Sequence, residues 1–370
     1  MTTGGRFRAP GQATGFVLAS MPVWAQAPGG GQAPQPQRFP DLTSRPLFLT
    51  GQVLLEDGTP PPEPVMVTGQ CSSGSPMPQG YTDSHGRFSF QLGRSSSPIM
   101  DVRNASGAGS DRRDLTGCEL HAVAPGFTSD GIDLSGRRVL ESPEVGIIVL
   151  RRREGVVGST FSATTLLARR EVREAYEKGR ELAKEKRYDE AIAEYEKAVR
   201  SQPQFAAAWY ELGLVHQIQN RPGEAEEAYR KAVTADPEFV KPHRQLAFLA
   251  FHLQEWPKVL EATDRLLWLD PVSYPDGYYF DSVAHFQMGD MEAAERSARK
   301  ATTLDPGRPI PRAHAVLGAL LIEKQDYAGA AEQLRDYIEI AAPGPEVDQA
   351  RAMLAQLEAR LPPPDGDDPQ

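Results

Sequence analysis

The side chains that could do chemistry in this 370-residue chain are few and scattered. Cys71 and Cys118 are its two cysteines, and they could form a disulfide or remain two buried thiols. Neither has the Cys-x-x-Cys spacing of a redox or zinc motif. The polar stretch Asp83–Gly86 could bind a cation, but a plain turn explains the same residue types. These groups offer a crosslink and a turn rather than a catalytic site.

Histidines recur in the second half of the chain, at positions where side chains pack between helices: His216, His243, His285 and His314. We therefore expect them to be core or interface residues. The sequence has no H-E-x-x-H, no Walker loop, no G-x-S-x-G and no metal-spaced Cys/His cluster. We predict that the chain is not an enzyme and has no catalytic, cofactor-binding or metal-binding residues.

The elements that carry these residues form an internal repeat with a period of about 35 residues. Each unit has two amphipathic helical patterns and a closing proline, and a small residue lies midway along each first helix. The small residues are Gly179, Gly213, Ala247, Ser282 and Gly318. We expect them to let the second helix approach closely. Each helical hairpin leaves an apolar face that only its neighbours can cover, which predicts an all-α solenoid.

The stretches "AWYELG" and "AEEAYRKAVTADP" resemble the tetratricopeptide repeat family, and the resemblance extends from Val172 to Pro343. It implies five repeats and a capping helix, within a solenoid at 165–361. The repeats lie at about 172–205, 206–239, 240–273, 275–308 and 311–344, with the cap at 346–361. Larger residues fill usually small slots in the third repeat (Val259, Thr263, Leu266) and in the fifth (Tyr337). We expect those interfaces to be looser or locally rearranged.

The part before the repeats, 46–154, alternates short apolar runs with turn residues, which predicts a β-sandwich. The stretch "YTDSHGRFSFQL" is similar to a hairpin of carboxypeptidase regulatory-like domains, which have a transthyretin-like sandwich. The matching residues are Gly51, Thr82, Asp83, Gly86, Phe88 and Phe90. Those domains are named for their place beside peptidases, but no peptidase pattern occurs in this chain. A linker at 155–164 joins the two domains.

The N-terminus has the layout of a secretory signal peptide. Arg6 and Arg8 precede a short apolar run that ends at Ala25–Ala27, which predicts export of the chain and a signal peptide at about 1–27, cleaved after Ala25 or Ala27. A cytoplasmic tail is the alternative. Residues 28–45 read as a flexible spacer and 362–370 as a disordered acidic tail. In an exported chain, the two cysteines of one small domain favour a Cys71–Cys118 disulfide.

The net charge of −10 argues against nonspecific binding of nucleic acid. No segment outside the N-terminus is apolar enough to suggest a membrane span. The resemblance implies a protein or peptide partner bound in a concave groove lined by first helices. The groove residues it implies are Arg173, Tyr176, Arg180, Tyr210, Leu214, Arg244, Phe248, Phe251, Tyr279 and Phe286. Aromatic and arginine side chains at free positions are favoured in interfaces. Alternatively, the β-domain or the last helix covers part of this face.

These observations predict an exported, non-enzymatic adaptor that uses no cofactor and binds a protein segment. One alternative is a surface protein that binds a glycan or polymer through the β-sandwich. The other is a non-catalytic subunit of a peptidase or secretion complex. The chaperone-tail clamp of some family members needs lysine and asparagine where this chain has Tyr176 and Arg180, so that ligand is not expected. The sequence leaves the oligomeric state open.

Overall fold

The computed structural model describes residues 47–72, 79–92, 115–135, 143–304 and 310–361. The chain divides into Met1–Arg45, outside the described residues, and Pro46–Gln370, which is one compact unit. The predicted signal peptide, spacer and acidic tail therefore lie outside the described residues. Within the described ranges, no helix is long and apolar enough to cross a bilayer.

The first part of the compact unit is rich in strands. They are β1 (Leu47–Leu55), β2 (Met66–Cys71), β3 (Gln79–Tyr81), β4 (Arg87–Leu92), β5 (Cys118–Val123), β6 (Phe127–Ser129), β7 (Ile132–Asp133) and β8 (Glu144–Arg152). They form two sheets, ordered β4-β1-β8-β6 and β3-β2-β5-β7. The five longer strands match the predicted apolar runs. The three short ones were not predicted, because two or three residues show no clear alternation.

One apolar core is shared by both sheets of the strand-rich region. Val53 and Ile148 from the first sheet and Leu120 from the second are fully buried in it. Phe88 and Phe90 point to the same side of β4, as alternation along a strand requires, and their ring centroids are 5.3 Å apart. The aromatic pair therefore belongs to the core of this region.

The turn from Asp83 to Arg87 corrects the predicted hairpin, because the strands on either side of it do not pair with each other. β3 pairs with β2, whereas β4 pairs with β1, so the turn carries the chain from one sheet to the other. Asp83 Oδ1 accepts the backbone N–H groups of His85 and Arg87, both at 2.8 Å. Burial alone would raise the pKa of Asp83, but these hydrogen bonds outweigh it and lower the pKa. The carboxylate fixes the turn.

The two cysteines form a disulfide. Cys71 ends β2 and Cys118 begins β5, and the two residues face each other in the antiparallel pairing, with Cα atoms 3.9 Å apart. The bond therefore crosslinks two neighbouring strands of the same sheet, at the point where both leave it. The sequence had left two buried thiols as the alternative.

The rest of the unit is helical. The helices are α1 (Ala163–Leu166), α2 (Arg170–Lys184), α3 (Tyr188–Ser201), α4 (Ala206–Ile218), α5 (Pro222–Ala235), α6 (Val240–His252), α7 (Trp256–Leu269), α8 (Pro275–Gln287), α9 (Met291–Thr303), α10 (Pro311–Glu323), α11 (Tyr327–Ile340) and α12 (Pro345–Glu358). From α2 onward, consecutive helices pack in pairs, and each pair packs against the next.

The predicted small slots lie where first and second helices meet. Gly213 of α4 faces the ring of Tyr229 on α5, and Gly179 of α2 faces Tyr195 on α3 in the same way. Both tyrosines are fully buried. The small residue therefore makes room for an aromatic ring of the partner helix.

The third repeat is rearranged rather than loose. Val259, Thr263 and Leu266 are fully buried, so the larger side chains are accommodated. Leu266 packs on Gly277 of α8, where a Cβ would lie 2.8 Å from its Cδ2. Thr263 donates a hydrogen bond of 2.8 Å to Asp281 Oδ1 on α8. A compensating glycine and a buried polar pair replace the usual small-residue contacts.

The predicted linker is docked on the repeats. The N–H groups of Val157 and Gly158 both donate to the Leu269 carbonyl, at 2.9 and 2.8 Å. Ser159 N–H donates to the Glu238 carbonyl, and Val240 N–H donates to the Ser159 carbonyl. Ser159 and Phe239 therefore form an isolated parallel bridge. Asp236 Oδ2 accepts the Ser162 hydroxyl and the Ala163 N–H, at 2.7 and 2.9 Å. We call residues 156–163 the strap.

Candidate functional site

The predicted groove residues all lie on the first helices of the repeats: α2, α4, α6 and α8. We call this surface the first-helix face. Arg173 is exposed, Tyr176 is buried, and the other eight are half-buried. The helical pattern placed these positions on one face, but their surroundings divide the face into two parts, one beside the strand-rich region and one beyond it.

Tyr176 corrects the sequence prediction, because it is a core residue with only 4% of its surface exposed. Its ring centroid lies 5.1 Å from that of Phe205 and 6.1 Å from that of Tyr195. Burial raises its pKa well above the usual value. The first pair of helices therefore uses this aromatic residue for packing, and little of its surface is open to a partner.

A charged cluster lies where the strand-rich region meets the first-helix face. Glu63, from the connection between β1 and β2, places Oε2 2.6 Å from Nζ of Lys241 on α6. Burial by itself lowers the pKa of Lys241, but the Glu63 charge and hydrogen bond outweigh it and raise the pKa. Glu211 and Arg180 interact electrostatically within the same cluster, and burial raises the pKa of Glu211. The ion pair of Glu63 and Lys241 therefore covers this part of the first-helix face.

Aromatic rings surround the Lys241 ammonium. The centroid of Phe161 in the strap is 5.8 Å away, and those of Tyr210 and Phe239 are each 5.9 Å away. Cations within about 6 Å of an aromatic face are attracted by the ring quadrupole. Tyr210, one of the predicted groove residues, therefore contacts the Lys241 ammonium of this same chain.

The second part of the first-helix face carries an aromatic patch, which we define as Phe248, Phe251 and Tyr279. Each ring is half-buried. Phe251 contacts Tyr279 across the interface between α6 and α8, with centroids 5.6 Å apart. Buried Phe280 lies beneath, 4.8 Å from Phe251 and 6.3 Å from Phe248. His252 also packs on Phe248, with centroids 4.1 Å apart, and Trp256 lies 6.0 Å from Phe251, so the rings are held by neighbours and remain half-exposed.

The remaining predicted groove residues are partly engaged within the chain. Arg244 binds Asp276 Oδ2 through Nε at 2.7 Å and Nη2 at 2.5 Å. Leu214 packs on the cluster around Tyr229, and Phe286 packs on the C-terminal core. Arg173 lies on the rim of a cleft. Leu214, Arg244 and Phe286 are therefore engaged by contacts within the chain, whereas Arg173 belongs to the cleft.

The cleft, of about 1400 Å³, separates α2 from the strand-rich region. Arg173, Arg180 and Lys184 line its helical wall, and Arg87 and Asp83 line the opposite wall. Charges of both signs occur on each side, so the cleft favours no single ligand charge. Within the described ranges, no group of His, Cys, Asp and Glu side chains could hold a metal ion.

Glu63 and the strap residue Phe161 were missed at the sequence level. Glu63 lies in "TPPPEPV", where the prolines read simply as a turn between strands. A glutamate held between prolines in an otherwise apolar stretch was the available signal. Its partner Lys241 lies 178 residues further along the chain. No local pattern joins the two.

The fold and this face define a helical repeat protein with a strand-rich N-terminal region. The tetratricopeptide repeat family model matches residues 176–238 and 282–345. The chain therefore contains tetratricopeptide repeats, as predicted. The carboxypeptidase regulatory-like identity of the strand-rich region stays a prediction.

Solved structures similar to the chain include MamA, which is 22% identical over 47% of this chain and 98% of its own, with a TM-score of 0.42. MamA 41-end from Desulfovibrio magneticus RS-1 is 15% identical over 50% of this chain and 98% of its own, also at 0.42. YrrB, a TPR protein with an unusual peptide-binding site, is 22% identical over 50% of this chain and 91% of its own, again at 0.42. A comparison with curated proteins finds no match.

Proposed function

We propose that this chain is a non-enzymatic scaffold that binds an extended segment of a partner protein on its first-helix face. The aromatic patch of Phe248, Phe251 and Tyr279 carries the proposal. Its rings come from two successive repeats, are fixed from below by Phe280 and remain half-exposed. Rigid aromatic side chains at interfaces concentrate binding energy at low entropic cost.

The binding surface proposed here is smaller than the groove predicted from the sequence. Tyr176 is buried, and Arg180 and Tyr210 lie beside the charged cluster with Glu63. Coverage by the β-domain, one of the two sequence alternatives, is therefore favoured for the first repeats. Partner binding is favoured for the third and fourth, where the patch lies.

We also propose that the two sheets form a β-sandwich of the carboxypeptidase regulatory-like kind. Gly51 supports this, because a Cβ there would lie 2.5 Å from the Phe88 ring, so the residues matching that family pack against each other. Export is proposed from the layout of residues 1–27 and fits a disulfide-bonded chain. N-terminal sequencing from the native host tests export, and an intact Met1 would contradict it.

Pull-down from the native host, followed by affinity measurement with the captured protein, tests the binding surface. We expect Phe248→Ala and Tyr279→Ala each to weaken binding by about 1–2 kcal/mol, which is about 5- to 30-fold. Trp268→Ala is the matched control, because Trp268 is a 55% exposed aromatic on α7, outside the patch.

Retained binding in both patch variants, or equal loss in the control, would reject the patch as the binding surface. Melting curves of all three variants show whether a loss of binding reflects lost stability. In the described residues, no observation favours the glycan-binding or complex-subunit alternatives.

A further inference from the structure

The connection between β1 and β2 crosses to the repeats as an extended, proline-rich strip. We call residues 59–65 the PPPEP loop, after its central sequence. Burial alternates along it: Pro61, Glu63 and Val65 are buried, whereas Pro62 and Pro64 are half-buried. Its ends are fixed, since Leu55 N–H donates to the Thr59 carbonyl and Val65 N–H donates to Thr82 Oγ1. A rigid strip is therefore held in one position.

The side chain that this strip presents to the repeats is a carboxylate. Glu63 is 7% exposed, and its Oε2 lies 2.6 Å from Lys241 Nζ, which is itself beside three aromatic rings. Lys241 occupies the first turn of α6, on the same face as the aromatic patch. Lys241 and the rings around it form a site that can bind a carboxylate. Glu63, flanked by prolines, shows the kind of extended acidic segment that fits this site.

We infer that the surface around Lys241 and Tyr210 is a binding subsite for an acidic, proline-flanked extended segment, and that the PPPEP loop occupies it within this chain. This inference rests on the proposed function, because it extends the same face. A partner segment that runs from the aromatic patch towards α2 has to carry an acidic residue and displace Glu63.

Two physical features support occupation by such a segment. Prolines keep the loop extended before it binds, so little conformational entropy is lost on binding. A segment tethered close to its site acts at an effective concentration in about the millimolar range. A free segment therefore competes with a ligand that is always present, and its apparent affinity falls in proportion to the small fraction of molecules in which the site is free.

Fluorescence anisotropy with a labelled synthetic peptide, GTPPPEPVM, tests the inference on the full chain. In one variant, Pro60–Pro64 is replaced by Gly-Ser-Gly-Ser-Gly, which keeps the length but removes the rigid acidic strip. We expect this variant to bind the peptide at least about tenfold more tightly than the wild type. The control peptide GTPPPQPVM should bind at least about tenfold more weakly, because it lacks the charge.

Adding Lys241→Met to the loop-replaced chain should abolish the difference between the two peptides. Equal binding of GTPPPEPVM by the wild-type and loop-replaced chains, or no binding by either, would overturn the inference. Melting curves check folding. If the loop-replaced chain does not fold, Glu63→Gln in the full chain takes its place, and the same peptide pair decides between the same outcomes.

The measurement separates this inference from the proposed function. Trp268→Ala, which alters an exposed ring on α7 outside both surfaces, should leave peptide binding unchanged. If the peptide binds as expected but the patch variants do not weaken binding of the native partner, the subsite is supported and the patch is rejected. The opposite result would reject the subsite alone.

Discussion

The ring of Tyr229 lies directly against Gly213, and a Cβ at position 213 would be 2.5 Å from its Cε1 atom. No real contact is that short, so any side chain there has to displace a fully buried ring. We predict that Gly213→Leu lowers the free energy of unfolding by about 2 kcal/mol or more, since overpacking a core typically costs about 1–3 kcal/mol. Denaturant unfolding measures the change.

Gly223→Leu provides the control for that substitution. Gly223 is also helical, but it is exposed, and a Cβ added there would meet no atom within 4 Å. Because leucine favours helices over glycine by roughly 0.5–1 kcal/mol, stability should stay level or rise. Equal losses in the two variants would mean that helical glycine itself, rather than the Tyr229 ring, sets the cost.

Left-handed residues follow the first helices of the described repeats, and only one of them is glycine. Gln254 ends the turn after α6 with φ of 57°, and Gly289 occupies the corresponding place after α8 with φ of 84°. A non-glycine residue in this region costs about 1 kcal/mol. We predict that Gln254→Gly raises the melting temperature and that Gly289→Ala lowers it. A change in the same direction for both would contradict this account.

The disulfide should contribute to the stability of the strand-rich region. Cys71 and Cys118 are 47 residues apart, for which the chain-entropy model gives about 4 kcal/mol. We expect a reductant to lower the unfolding midpoint of the wild type. It should have no effect on Cys71→Ala/Cys118→Ala, which already starts at the lower value. Alkylation of both thiols in native, non-reduced protein would show that the bond is absent.

Acid should destabilise the repeats through His243. Burial lowers the pKa of His243 to about 4, against about 6.5 in an unfolded chain. Between those values the unfolded state binds more protons, so stability is lost as pH falls from about 6.5 to about 4. The loss attributable to His243 is about 3 kcal/mol at pH 4. Unfolding of the wild type and His243→Gln across this range gives the difference.

His243→Gln should flatten the pH dependence that the wild type shows between pH 6.5 and pH 4. Parallel curves for the wild type and His243→Gln would remove His243 as the cause.

The sequence was most informative where a contact lies within one repeat. The spacing of small residues predicted that Gly213 and Gly179 face a second helix, and both do. Their contact partners, Tyr229 and Tyr195, are close in sequence, so helical periodicity was enough to bring them together. In the strand-rich region, short apolar runs between turn residues likewise indicated the five longer strands.

Contacts between regions could not be predicted in this way. The pattern that places Tyr176 on the first-helix face says nothing about the rings of Phe205 and Tyr195, which bury it. Leu266 reads as a misfit until Gly277, on the following helix, is seen against it. Glu63 and Lys241 meet through the arrangement of the whole unit. Such pairs depend on tertiary geometry, which local periodicity does not contain.

The strap has a consequence for how the two regions could be exchanged by recombination. Its N–H groups bind the Leu269 carbonyl, and its Ser162 hydroxyl binds Asp236. A crossover at residue 165 would transfer the strap with the strands and leave these acceptors in the repeats without their donors. A crossover just before Val156 keeps these donors and acceptors together, but it separates Thr160 from the Pro125 carbonyl and Arg152 from the Val157 and Gly158 carbonyls. The strap therefore belongs to both regions, and exchanging either one by a crossover next to it breaks hydrogen bonds that the native chain makes.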